Sequence, residues 1–154
     1  VKSIRNDVVF VRNPDYQNTS NTYSINLATS DLKSPYILMD GDLLINKKSF
    51  SRFISSFNGK DSLVGMTKAN TDDAVYVELN DKDEVVGFNR KKKSEYEWCG
   101  IVCLNNIKVT SEYSYLYQLM NKYLPLKAKD IECSEIDTPD DLKRAQNLLS
   151  RYFT

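Results

Sequence analysis

The stretch Pro35-Tyr-Ile-Leu-Met-Asp-Gly-Asp42 determines how this chain is interpreted. Its apolar half, 35–39, is a short run of the kind that forms a buried strand. Two carboxylates therefore stand where a strand ends, and Gly41 between them allows a sharp turn or a close approach to a ligand. In open α/β sheets, ligands bind outside the carboxyl ends of the strands. The stretch predicts a polar site at a sheet edge, although Asp and Gly are also the common residues of an ordinary turn.

A second acidic stretch, Glu135-Ile-Asp-Thr-Pro139, lies between a short predicted strand and a predicted helix. Strand alternation places Glu135 and Asp137 on one side of the chain. Capping of the following helix is the alternative role for Asp137 or Thr138. A functional role requires Asp137 to meet Asp42 in space. Hard oxygen ligands of this kind suit Mg²⁺, which proteins usually hold through one or two carboxylates plus substrate phosphates.

Composition excludes several classes of function. Lys and Arg number 21, as do Asp and Glu, and this balance argues against a general nucleic-acid or membrane-surface binder, which needs a basic field. The absence of histidine removes Ser-His and Cys-His nucleophiles from consideration. Cys99, Cys103 and Cys133 form no C-x-x-C pair, so we expect small core residues in a reducing cytoplasm. No apolar run is long enough to span a bilayer.

Hydrophobic periodicity and turn residues predict a single domain, 1–154, with alternating strands and helices. Ser20 or Asn21 is the expected cap of the first helix. The order favours an α/β fold with a mostly parallel sheet flanked by helices and one small antiparallel hairpin. The predicted strands are 8–11, 35–39, 63–67, 74–79, 84–88, 98–104 and 131–133, and the predicted helices are 22–32, 47–57, 109–124 and 140–152.

Three segments occur in a familiar order: Asn13-Pro-Asp-Tyr16 with Asn21-Thr-Tyr-Ser24, then Leu38-Met-Asp-Gly-Asp42, then Glu135-Ile-Asp-Thr-Pro-Asp-Asp-Leu142. Together they resemble the nucleotidyltransferase superfamily with a Rossmann-like GT-A fold. Within it they look most like the small bacterial branch of choline-phosphate cytidylyltransferases and related sugar-phosphate nucleotidyltransferases. The resemblance extends from Val8 to the last helix.

This resemblance implies a cytoplasmic, Mg²⁺-dependent transferase. Its partners would be a nucleoside triphosphate, with CTP favoured, and a small phosphorylated acceptor. The phosphate of the acceptor would attack the α-phosphate, pyrophosphate would leave, and the product would serve the synthesis of a surface polysaccharide or phospho-decoration. By the family's pattern Asp42 and Asp137 hold the metal, and Asp40 supports them near the nucleotide.

The resemblance also implies an acceptor site. Asn21 and Ser24 match its polar segment, with helix capping as the alternative. Gly100 matches a glycine on the floor of the substrate pocket, with a β-bulge as the alternative. Trp98 beside it would form a wall and, with tyrosines, could supply a cation–π face to a quaternary ammonium; otherwise it is a core residue. The run Arg90-Lys-Lys-Lys93 could meet a substrate phosphate or be a solvated hairpin end.

The chain departs from the family's pattern at its beginning, because it contains no G-x-G-x-R segment. In the family that loop wraps the triphosphate. We therefore expect an N-terminally incomplete domain: a fragment, one part of a split protein, or a degenerate member. The resemblance implies a nucleotidyltransferase whose activity this chain alone could lack, because the triphosphate loop is absent. An exposed strand edge invites pairing with another chain, so a homo-oligomer or an N-terminal partner segment is expected. The alternatives are a non-catalytic binding or assembly module with this fold and a related nucleotide-sugar glycosyltransferase.

Overall fold

The computed structural model describes residues 4–70 and 74–153, which form a mixed α/β fold. Across these ranges no helix combines the length and the apolar character that a membrane span requires. In chain order the elements are α1 (Asn21–Thr29), β1 (Tyr36–Met39), β2 (Leu43–Ile45), α2 (Lys47–Ser56), β3 (Leu63–Lys68), β4 (Tyr76–Leu79), β5 (Glu84–Asn89), β6 (Tyr96–Leu104), α3 (Leu116–Met120), β7 (Leu126–Asp130), β8 (Cys133–Glu135) and α4 (Pro139–Phe153).

The main sheet has the strand order β1-β6-β3-β7-β5-β4, and β4 also pairs with β6. Five strands, β3, β6, β4, β5 and β7, thereby close into a ring. Among the described strands only the β3–β7 pair is parallel. The predicted mostly parallel sheet is therefore corrected to a mixed one. The long strand β6 runs antiparallel between β1 and β3. The predicted β4–β5 hairpin is present and joins the sheet through β6 and β7.

Strand β6 separates two hydrophobic cores. Val102 and Leu104 point to one side, into a core that also takes up α3. Cys99, Ile101 and Cys103 point to the other side and pack against Phe53 of α2. This alternation with period two is what a strand buried on both faces requires. It explains why the whole carboxyl half of β6 is apolar.

The predicted helix 109–124 is wrong in extent, because α3 has only five residues. Backbone carbonyl groups of the segment before α3 accept hydrogen bonds from side chains of α1 instead of from N–H groups of the same segment. Asn26 donates its side-chain amide to the carbonyl of Val109 at 2.7 Å, and Thr22 donates its hydroxyl to the carbonyl of Tyr113. These tertiary bonds satisfy carbonyl groups that a helix would otherwise use.

The predicted strand 8–11 is not a strand in the structure. Val9, Phe10 and Val11 are 86%, 62% and 51% exposed, and no described strand pairs with them. Strand β1 is buried on one face only, because Ile37 and Met39 are exposed. β-Branched sequence alone cannot make a strand where no neighbouring strand supplies hydrogen-bond partners.

Helices α1, α2 and α4 agree with the prediction within a few residues. Ser20 caps α1 as expected, accepting a bond from the Tyr23 N–H at 3.1 Å. Asn46 caps α2 by accepting bonds from two backbone N–H groups of its first turn. These helix boundaries were predictable because each rests on local side-chain chemistry.

Candidate metal centre and adjoining cleft

A two-stranded antiparallel ladder, separate from the main sheet, joins the two acidic stretches. Strand β2 pairs with β8 so that Leu43 lies opposite Glu135. The N–H of Ile136 continues the ladder and donates to the carbonyl of Asp42 at 2.9 Å. This pairing places Asp42 next to Asp137. This ladder was not predicted from the sequence, because the three-residue segment 43–45 carries too little periodicity to indicate a strand.

Asp42, Glu135 and Asp137 form an exposed carboxylate cluster. One oxygen from each lies within 4.8 Å of the others. In the described part of the chain, the carboxylates of Asp42 and Asp137 receive no hydrogen bond and meet no Lys or Arg. Like charges at this separation repel one another, so the cluster favours a bound cation. Three carboxylate oxygens make a hard donor set that fits Mg²⁺ or a similar divalent ion.

Thr138 takes the capping role that the sequence left open between it and Asp137. Its N–H and hydroxyl donate to Oδ2 of Asp141 at 2.8 and 2.6 Å, and the Asp141 N–H donates back to the Thr138 hydroxyl at 3.2 Å. This reciprocal pair is a capping box. The bonds from Thr138 lower the pKa of Asp141 below its usual value. Because α4 is capped in this way, the carboxylate of Asp137 is left for another role.

Asp40 lies against Gly100 of β6. Its N–H donates to the Gly100 carbonyl at 3.0 Å. Gly100 has a φ of +72°, and a Cβ built there would lie 2.5 Å from Oδ2 of Asp40. Burial, and then the charge of Asp42, raise the pKa of Asp40 above its usual value. Gly100 is therefore required both by the backbone conformation and by the space that the Asp40 carboxylate occupies.

The acidic cluster borders a cleft of about 770 Å³, a volume typical of sites for small ligands. Ser24 is not among the residues that line it; its hydroxyl accepts a hydrogen bond from the Asn13 side-chain amide at 2.9 Å. The cleft is also lined by four residues that were not assigned to a site from the sequence: Tyr115, Tyr117, Glu135 and Arg144. Of these, only Glu135 carried a signal, because it alternates with Asp137. Five predicted site residues do line the cleft: Asn21, Asp40, Trp98, Gly100 and Asp137.

The three cysteines are buried and free, which confirms them as core residues. A hydrogen bond with Cys133, and then burial, raise the pKa of Cys99 well above its usual value. Burial raises the pKa of Cys103 to about 11. The thiol groups of Cys99 and Cys103 therefore stay protonated near neutral pH and are poor nucleophiles.

Comparison with known proteins gives matches among solved structures alone, since no family model and no curated protein sequence matches this chain. The inositol-1-phosphate CTP transferase from T. maritima superposes with a TM-score of 0.68 at 21% identity, over 86% of this chain and 62% of that one. The CTP:phosphocholine cytidylyltransferase LicC from Streptococcus pneumoniae gives 0.72 at 18% identity, over 96% and 71%. The fold is that of nucleotidyltransferases.

A putative glucose-1-phosphate thymidylyltransferase from Bacillus anthracis has the same fold, with a TM-score of 0.65 at 13% identity, over 84% of this chain and 61% of that one. The predicted resemblance to nucleotidyltransferases is thus confirmed at the level of the fold. The chain spans less than two thirds of the length of two of these three neighbours.

Proposed function

We propose that this protein acts in nucleotidyl transfer. It would move a nucleotidyl group, CMP by preference, from a nucleoside triphosphate to a small phosphorylated acceptor, with release of pyrophosphate. The observation that carries the proposal is the cluster of Asp42, Glu135 and Asp137, whose oxygens lie within 4.8 Å of one another on a chain with the nucleotidyltransferase fold. The cleft beside the cluster has room for a small ligand.

The reaction needs little covalent chemistry from the protein. A phosphate oxygen of the acceptor attacks the α-phosphorus of the triphosphate, and the bond from that phosphorus to the bridging oxygen of the β-phosphate breaks. The electron pair leaves with pyrophosphate, so atoms and charge balance without a proton carrier. Catalysis of this kind rests on alignment and charge stabilisation. That requirement is compatible with a chain that contains no histidine.

Each residue has a defined part in the proposal. Asp42 and Asp137 hold a divalent ion, with Glu135 as a third carboxylate beside them. A bound Mg²⁺ would neutralise the charge of the phosphates and orient them. Asp40, which lines the cleft beside Gly100, would support the ion and the nucleotide. Asn21 and Trp98 line the cleft and would contact the acceptor.

The direct test is a pyrophosphate-release assay with CTP, UTP, GTP and dTTP, each against phosphocholine, inositol 1-phosphate and glucose 1-phosphate. We expect release with one nucleotide–acceptor pair, loss on addition of EDTA, and a decrease of about a hundredfold or more in Asp137→Asn. Asp140→Asn is the matched control, because Asp140 is an exposed acid in the first turn of α4, three residues after Asp137, and pairs with Lys143 outside the cluster.

Two results would contradict the proposal. Near-normal release by Asp137→Asn would make the metal assignment wrong. The absence of release and of Mg²⁺-dependent nucleotide binding would instead favour a non-catalytic module that retains the fold.

A further inference from the structure

The cleft is lined by a guanidinium group that the described part of the chain leaves without a carboxylate partner. Arg90 lies directly after β5 and lines the cleft. The other cation along its wall, Arg144, is paired with Asp141. Between residues 4 and 70 and between 74 and 153, no carboxylate pairs with Arg90, although the cleft is lined by several acids. A cation that the described residues leave unneutralised in a ligand-sized cleft is available to an anionic ligand.

Two tyrosine rings hold this guanidinium. Its central carbon lies 5.0 Å from the ring centroid of Tyr115 and 5.8 Å from that of Tyr117. The two rings are themselves stacked, with centroids 5.8 Å apart and planes inclined by 21°. Cation–π contact engages the flat face of a guanidinium. Its N–H groups lie in the plane of the group, so they remain able to bind an oxyanion.

The same contact bears on the choice of ligand. An aromatic face could otherwise bind a quaternary ammonium, but Arg90 lies over Tyr115 and Tyr117. Trp98 is also engaged, since its indole N–H donates to the Ile101 carbonyl at 3.1 Å and its ring meets Phe88 edge to face. At Tyr115 and Tyr117 the cleft therefore offers a ligand the guanidinium N–H groups of Arg90 and not an open aromatic face.

We propose that Arg90 binds the phosphate group of the acceptor and that Tyr115 and Tyr117 are positioning residues that hold it. This inference rests on the proposed function and specifies its acceptor as a small phosphate monoester recognised through its phosphate. Guanidinium and phosphate form two parallel charge-assisted hydrogen bonds, a geometry that lysine cannot reproduce. Arg90 thus orients the attacking oxygen, while the carboxylate cluster serves the triphosphate.

The test follows the Arg90 Nε–Hε resonance by NMR while phosphocholine, glucose 1-phosphate and inorganic phosphate are titrated with Mg²⁺ present and nucleotide absent. We expect a saturable shift with all three probes and none with choline or glucose. Arg90→Met should raise the dissociation constants about ten- to a hundredfold, and Arg90→Lys should give an intermediate loss. Arg90 is exposed, so neither variant should unfold the chain.

Lys91→Met is the matched control, because it removes the next positive charge of the same basic run and should change the constants less than about twofold. Tyr115→Phe keeps the ring face and should bind normally, whereas Tyr115→Leu should weaken binding about two- to fivefold. An equal loss in Arg90→Met and Lys91→Met, or no Arg90 shift, would overturn the role of Arg90. Equal binding by the Phe and Leu variants would overturn the positioning role.

The experiment is independent of the proposed transfer reaction, because it contains no nucleotide. Arg90-dependent phosphate binding in a chain that fails the pyrophosphate and nucleotide tests would support this inference and reject the proposed function. Mg²⁺-dependent transfer that is insensitive to Arg90→Met would do the reverse.

Discussion

Single residues of this site are held by steric constraints as much as by charge. The carboxylate of Asp40 occupies the space that any side chain at position 100 would need. Burial of that carboxylate beside Asp42 raises the pKa of Asp40. The family resemblance implied that Gly100 lies at the floor of a pocket, with a β-bulge as the alternative. That the constraint comes from Asp40 could not be predicted, because 60 residues separate the two along the chain.

Gly100→Ala should lower the free energy of unfolding by about 1–3 kcal/mol, because a residue with a side chain is strained at positive φ. It should also weaken nucleotide binding, since Asp40 must move away. Urea unfolding and calorimetric titration measure the two effects. Gly41→Ala is the control, because no atom lies within 4 Å of a Cβ built at Gly41. Equal stability of the two variants would contradict the steric account of Gly100.

At the scale of elements, the site depends on the β2–β8 ladder and on the capped start of α4. These two features bring Asp42 to Asp137 and leave Asp137 free of the capping role. Helix α4 was predictable from its own residues, with Pro139 in the first turn and an apolar stripe behind it. The ladder was not, because three-residue strands carry little periodicity and their pairing joins segments 90 residues apart.

Thr138→Ala should lower the free energy of unfolding by about 1 kcal/mol through loss of the cap. It should also reduce Mg²⁺ affinity, because the start of α4 then holds Asp137 less firmly. Thr138→Ser retains the capping hydroxyl and should behave as the unmodified protein in urea unfolding and in metal titration. A Thr138→Ala variant with unchanged stability would show that the capping box contributes nothing.

The ion pair between Asp61 and Lys127 should make stability depend on pH. Nζ of Lys127 in β7 lies 2.8 Å from Oδ2 of Asp61, which precedes β3. Hydrogen bonds from Lys127 and Asn58 lower the pKa of Asp61 below its usual value of 3.8. Because folding lowers the pKa of Asp61, the ion pair stabilises the folded protein at pH values above the usual pKa. This stabilisation is lost as the pH falls through the folded-state pKa.

Asp61→Asn should therefore lower the melting temperature slightly near neutral pH and leave it unchanged in strong acid. Thermal unfolding at a series of pH values measures this, with Asp81→Asn as control, because Asp81 is exposed in the β4–β5 turn and no ion pair involves it in the described parts of the chain. A melting temperature of Asp61→Asn that stays equally far below that of the unmodified protein at pH values under the folded-state pKa of Asp61 would contradict this explanation.

In the described part of the chain, the main sheet combines a closed ring of five strands with an outer strand, β1, that has an open edge. Strand β1 pairs with β6 on one side and with no described strand on the other. Ile37 and Met39 of β1 are exposed apolar residues, and Val9, Phe10 and Val11 are exposed as well. Local patterns predicted strands at both places and could not show which would find partners, because pairing is a property of the assembled sheet.

We expect this chain to self-associate or to bind a partner strand through that edge. Ile37→Lys should shift the population toward the monomer, because a charged residue on an edge strand discourages pairing. Light scattering coupled to size-exclusion chromatography measures the change. Val86→Lys, at an exposed apolar position of β5, is the control and should have no effect. A stable, monodisperse monomer of the unmodified chain would contradict this expectation.

The most direct measurement of the central claim is calorimetric titration of CTP into this chain in the presence of Mg²⁺. The account predicts binding that EDTA abolishes, that Asp42→Asn and Asp137→Asn each weaken at least about tenfold, and that Asp140→Asn leaves unchanged. CTP binding that persists in EDTA or in both aspartate variants would contradict a metal centre at this cluster, and so would the absence of binding under every condition.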